Sequence, residues 1–187
     1  MTIFLILAPY GAFSILMLLT SAPVSLFVAA AICLAVILYD VIGGRAIKLL
    51  GVGSALLFAG LAGYINLTAS SWSSSEVKLA IDVGMLAISL GSLAMGRPFT
   101  LQYAREVVDV QTAGLPGFVQ ANYVITGAWA LAFVLMAAAN LLVIYLPGLP
   151  LWTGIALAFA ARNSALYFTK WYPEYRRTNL TAPTARV

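Results

Sequence analysis

The chain has 187 residues, 63% of them hydrophobic and 9% charged, with a formal net charge of +4 and no histidine. Its mean hydropathy is +0.99. Soluble domains are about half apolar and about a quarter charged, so a soluble core of this size is excluded and lipid must solvate much of the surface. Without histidine, a zinc enzyme, a bis-histidine haem site and a serine–histidine hydrolase are all disfavoured. The basic excess is what positively charged cytoplasmic loops produce, rather than a nucleic-acid footprint.

Six apolar segments are expected to cross the membrane, giving an all-α polytopic transmembrane helical bundle. The first covers about 2–19, has Pro9 and Gly11 inside it as an expected kink, and lacks the basic start of a signal peptide. The second, about 24–39, follows through Thr20-Ser21-Ala22-Pro23, with Pro23 in its first turn and Ser21 or Ala22 at the cap. It contains Cys33, the one cysteine, which is read as a small packed hydrophobe. The third, about 49–67, carries Gly51, Gly53, Gly60 and Gly63, which permit close helix approach. The fourth covers about 79–95, the fifth about 121–146 and the sixth about 149–168, with Pro147-Gly148-Leu149-Pro150 turning between the last two. A five-span alternative makes the first two segments one re-entrant hairpin.

Orientation follows from the basic residues. Arg45 and Lys48 lie between spans two and three, Arg97 and Arg105 between four and five, and the others apart from Lys78 at or beyond span six. Six spans with both termini cytoplasmic leave only Lys78 outside, as expected for a multi-pass protein of a bacterial inner membrane. The turns after spans two and four also echo each other, Gly44-Arg45 against Gly96-Arg97.

Between spans four and five, Pro98 suits a first helical position, and Gln102, Arg105, Glu106 and Asp109 recur at i, i+3, i+4 and i+7. Leu101, Ala104, Val107 and Val108 oppose them, so the pattern predicts one cytoplasmic amphipathic helix, at the interface or packed under the bundle. The string Gly96-Arg97-Pro98-Phe99-Thr100, followed by Tyr103-Ala104-Arg105-Glu106, resembles a cytoplasmic segment of small bacterial membrane proteins similar to the intracellular septation protein A group. The resemblance is firm over residues 96–106 and otherwise extends only to the hydropathy profile. It implies a bacterial inner-membrane protein linked to envelope or division processes, in a group drawn with five spans. It brings no catalytic residue with it.

Ionisable groups at membrane depth are functional candidates because an unpaired charge there is costly. Asp40 ends span two, where Arg45 or Arg97 can pair with it. Asp82 lies four residues after Lys78 and suits an along-helix pair at headgroup level. Arg162 is roughly 9 Å from the end of span six, within snorkelling reach, or pairs across the bundle with Asp40 or Glu106. Asn140 and Asn163 suit interhelical hydrogen bonds, and Trp72, Trp129, Trp152, Trp171, Tyr145 and Tyr172 mostly suit an aromatic belt.

Residues 1–172 are therefore read as the transmembrane domain, and 173–187 as a basic cytoplasmic tail without apolar period. No motif for a catalytic centre, metal or cofactor stands out. The leading expectation is a non-enzymatic membrane subunit that associates with lipids and with other membrane proteins or itself, and not with nucleic acid. The alternative is a small transporter or channel whose pathway is lined by Asp40, Asn140 and Arg162.

Overall fold

The computed structural model describes residues 2–146 and 148–179, and the side chains of these except 2–7, 151 and 179. Its regular structure is helical throughout: α1 (Thr2–Leu19), α2 (Ala22–Ile42), α3 (Leu49–Leu67), α4 (Ser74–Ala94), α5 (Phe99–Ala104), α6 (Val110–Gly114), α7 (Pro116–Tyr145) and α8 (Leu151–Asn179). Four of these, α2, α3, α4 and α7, are long and apolar enough to cross a membrane, and the apolar stretch Ala8–Leu19 of α1 is shorter. The chain is thus a helical membrane bundle, and each apolar segment of the sequence falls on a helix.

Local sequence sets the helix ends. Ser21 caps α2 with Pro23 behind it, and Pro116 opens α7. Ser73 and Glu76 form a reciprocal capping box on α4: the Ser73 oxygen accepts from the Glu76 backbone N–H, and the Glu76 carboxylate accepts from that of Ser73 at 2.6 Å. Replacing Ser73 with Ala is expected to cost about 1 kcal/mol, measurable as a lower midpoint of thermal unfolding in detergent. α1 continues through Pro9 as one helix.

The Gly-Arg echo extends to backbone geometry. At the end of α2, Gly44 has φ +67° and donates to Val41 O, while the Arg45 N–H reaches back to Asp40 O at 2.8 Å. At the end of α4, Gly96 has φ +69° and donates to Leu93 O, and the Arg97 N–H reaches Ser92 O at 2.9 Å. Both are Schellman caps, and both need glycine because the capping residue is left-handed. The first cap opens directly towards α3, the second towards α5.

The α4–α7 connection differs from the single amphipathic helix that its polar spacing suggests. α5 stops at Ala104, and Asp109 instead caps α6, its Oδ1 accepting from the Thr112 N–H at 2.8 Å. An Asp side chain that satisfies free backbone donors competes with helix continuation, and Val107 and Val108 are poor at sustaining it. Gln102, Arg105, Glu106 and Asp109 therefore do not share one helical face. α5 is tied beneath the bundle: the Phe99 N–H donates to Ser92 Oγ at 3.2 Å, and the Thr100 hydroxyl lies 3.0 Å from Asn122 O and 2.8 Å from Thr126 Oγ1.

The reading of a tail from Pro173 also changes, since α8 passes through Pro173 to Asn179. Phe168 stacks on Tyr172 and Trp171 on Tyr175, and Arg176 donates to Gly117 O at 3.0 Å and to Gln120 Oε1 at 3.3 Å. The ring stacks run along α8 itself, and the Arg176 bonds hold its end against the start of α7. Residues 180–187 lie outside the described part.

The helices follow one another around the bundle, α1 on α2, α2 on α3, α3 on α4, α4 on α7 and α7 on α8. In lipid the contact is driven by packing rather than by escape from water, so small residues matter. A Cβ on Gly53 would meet the Ile88 side chain at 2.9 Å, and one on Gly84 would overlap Leu57. The α3–α4 approach therefore depends on both glycines, whereas Gly60 and Gly63 face open space. The core is centred on Phe58, fully buried between Tyr10 and Phe13 of α1, with Leu26 and Val77 also fully enclosed. Cys33 is buried among them as a free thiol.

Candidate functional site: two cavities meeting at Tyr10

The α2–α3 loop end of the bundle gathers four charges. Lys48 is 5% exposed; its ammonium lies 2.5 Å from Asp40 Oδ2 and 2.9 Å from Glu106 Oε1. Arg45 completes the group at 3.3 Å from Asp40 Oδ1, with its guanidinium over the Tyr39 ring. The Lys48 ammonium also sits 5.3 Å from the centre of the Tyr103 ring. Burial pushes the Tyr103 phenol above its ordinary pKa, so it stays neutral and acts as a polarisable wall. Two cations face two carboxylates, and the cluster is balanced internally.

The local sequence explains how Lys48 arrives there. It is the last residue before α3 and supplies no cap, so the first amide of that helix needs another acceptor. Gln102 of α5 provides it, its Oε1 accepting from the Leu49 N–H at 2.7 Å. This bond docks α5 onto α3 and brings Glu106 to Lys48. Above the charges lies a cavity of about 170 Å³, with Cys33, Gly51, Ser54 and Tyr10 further in.

A second cleft, of about 300 Å³, runs lengthwise between α1, α4, α7 and α8. Lys78 and Leu18 line one end of it, Leu50 and Phe99 the other, and Trp129, Phe133 and Met136 its wall. Its charged groups are Asp82, Arg162 and Lys78, with the Asn140 amide beside Asp82. Asp82 is 5% exposed and accepts from Asn140 Nδ2 at 2.8 Å, which links α4 to α7.

The two cavities share Tyr10 and Leu50 as lining residues. The Tyr10 and Ser54 hydroxyls are hydrogen-bonded to each other, and Ser54 donates to Leu50 O at 2.6 Å, which leaves its oxygen to accept the phenolic proton. The Met85 sulfur lies 2.7 Å from the same phenol oxygen. Three helices, α1, α3 and α4, thus close the space between the cavities with one side chain each.

Of the residues singled out from sequence, Asp40, Arg45 and Glu106 line the first cavity, with Gln102 docking α5 beside it, and Asn140 and Arg162 line the second. Arg97, Arg105 and Asp109 are exposed and stand apart from both. Asp40 pairs with Arg45, as one of the two expected partners, but its closest cation is Lys48. Arg162 does not reach Asp40 or Glu106; it faces Asp82 across the second cleft. Asp82 is buried inside the bundle, and no ion pair with Lys78 forms among the described residues. Among the described residues Asn163 bonds its own helix, at Phe159 O. Trp129 is mid-helix in α7 and donates to Thr169 Oγ1 at 3.0 Å, so it is a packing residue and not part of a belt.

Lys48, Tyr10 and Ser54 are the functional candidates that pattern reading passes over, and Asp82 is weighed there only as an along-helix partner of Lys78. A lysine directly before an apolar helix, eight residues after an intramembrane acid, is the signal that points to Lys48 as a member of the first cluster. No family model, no curated protein and no solved structure matches this chain.

Proposed function

We propose that this protein is a small membrane transporter whose solute path runs through the two cavities and is interrupted at Tyr10. The observation that carries this reading is the arrangement itself: two cavities with charged groups in their linings, on either side of one hydrogen-bonded contact between three helices. A scaffold needs no such interior, because voids and buried charge both cost stability. In this reading α1 and α8 complete six spans. The end with Arg45, Lys48, Arg97 and Arg105 faces the cytoplasm of a bacterial inner membrane, in keeping with the charge asymmetry and the septation-protein-like string. Mobility of Tyr10 is the gating step, since its phenol is held by single side-chain contacts rather than by covalent or backbone closure.

Thiol accessibility in oriented vesicles tests the path. A membrane-impermeant reagent is expected to label Cys33 only from the α2–α3 loop side. In a Cys33→Ala chain, Ala158→Cys in the second cleft is expected to react only from the opposite side. Tyr10→Ala should then allow Cys33 to react from both. If neither thiol reacts with water-borne reagent from either side, there is no path and the transport reading is wrong.

The subunit reading retains one specific support. Val107 and Val110, in the connection between α4 and α7, are 69% and 90% exposed outside the spans, as partner-contact residues would be. Native mass measurement after gentle extraction distinguishes the two: a stoichiometric foreign subunit favours the scaffold, a monomer or homo-oligomer the transporter.

A further inference from the structure

The two cavities differ in charge balance, and that difference identifies the ligand class. At the first, Asp40 and Glu106 are matched by Arg45 and Lys48 through direct ion pairs. At the second, Arg162 and Lys78 are both half-buried cations, and among the described residues neither has a carboxylate within ion-pair distance. The one acid among the described lining residues, Asp82, lies within electrostatic reach of both Arg162 and Lys78, and one of its oxygens is engaged by Asn140. Two cations facing one carboxylate in a low-dielectric cleft leave an excess positive charge that an anion would neutralise. The rest of the lining is an elongated apolar wall, including Phe13, Trp129, Phe133 and Met136. Leu18 of α1 and Ile155 and Phe159 of α8 line the cleft and are 78%, 58% and 68% exposed, so its rim is continuous with the lipid-facing surface.

We infer that the second cleft binds an anionic amphiphile from the membrane, a lipid with a phosphate or carboxylate headgroup. It enters sideways between α1 and α8, its headgroup on Arg162 and Lys78 and its chain along Phe13, Phe133 and Met136. Arginine suits this role because its planar fork takes two headgroup oxygens at once, and Lys78 adds a point charge nearer the membrane surface. An apolar chain in the cleft packs on the wall much as bulk lipid packs on the outer surface, so the headgroup charge supplies the selectivity. The inference deepens the transport reading by naming its solute class, and it depends on that reading only for the release step after binding.

The test is equilibrium binding by the purified full-length protein in a neutral maltoside detergent, with dodecyl phosphate as the probe. Binding of a brominated analogue is read through quenching of Trp129, using Trp129→Phe to subtract the other tryptophans. Saturable quenching is expected, and Arg162→Gln should weaken it about tenfold or more, with Lys78→Gln giving a smaller loss. Arg162→Lys, which keeps the charge, should retain part of the affinity and guards against a folding defect in the glutamine variant. Inorganic phosphate at the same concentrations should not compete. Effective competition by inorganic phosphate would replace the lipid with a free anion as ligand and overturn the inference. Quenching that is unsaturable, or indifferent to both substitutions, would show detergent-like partitioning and also overturn it. Thiol accessibility is read without any ligand, so the path and the amphiphile site can fail independently.

Discussion

Lys48→Met is expected to destabilise the protein by about 3–5 kcal/mol, the cost of removing one partner from a buried ion cluster. Methionine fills nearly the same volume, so the loss comes from charge and not from a cavity. Asp40 Oδ2 and Glu106 Oε1, which both hold the Lys48 ammonium, are then left facing each other without it. Arg45 cannot substitute, because its side chain is 43% exposed and bonds the other oxygen of Asp40. The measurement is unfolding in mixed detergent micelles, with the wild type and variant compared at one pH. The triple replacement Asp40→Leu, Lys48→Met and Glu106→Leu should recover much of the loss, since no charge is left buried. If it recovers stability but abolishes flux in reconstituted vesicles, the cluster is kept for function. A Lys48→Met protein as stable as wild type would show that the three groups are solvated rather than enclosed.

The same cluster shows how far the sequence can be read. Hydropathy locates every apolar helix because crossing lipid demands about twenty apolar residues in a row, and few other signals share that length. The helix ends are legible where capping is local, as at Ser21 and Pro23. The segment after α4 misleads because its polar spacing matches a helical period, while Asp109 satisfies backbone donors of its own and restarts the chain as α6. Period counts faces, and it does not register a competing cap. Partner choice is harder still. Asp40 is visible as an acid at membrane depth, but Lys48 resembles an ordinary cytoplasmic lysine until Gln102 of α5 caps α3 and delivers Glu106 beside it. Tyr10, Ser54 and Met85 come from three helices and share no spacing, so only the packing of α1 against α3 and α4 reveals them. The Gly-Arg echo, two residues long in sequence, becomes a repeated Schellman geometry in the backbone.

Asn140→Leu is the second large effect, because it removes the donor to a carboxylate that is 5% exposed. A buried acceptor deprived of its partner costs about 1–3 kcal/mol, and more when it is charged. The membrane lowers the measured value somewhat, since helices separated in lipid also find polar partners, and interhelical bonds of this kind average well under 2 kcal/mol there. The expected loss is therefore about 1–3 kcal/mol. Asp82→Leu alone leaves Asn140 with its bond to Met136 O at 3.2 Å, so its cost should be smaller. The asymmetry is the informative outcome: Asn140→Leu should be worse than Asp82→Leu, and the double variant should be no worse than Asn140→Leu alone. A double-mutant cycle on unfolding free energies reads the coupling directly. In the dodecyl phosphate assay the two variants should diverge again. Asp82→Leu removes the one acid among the described lining residues and should tighten the anion, whereas Asn140→Leu leaves that acid in place and should tighten it less or not at all. A gain in affinity largest in Asp82→Leu follows from charge, whereas a purely structural role for the pair would weaken the anion in both variants.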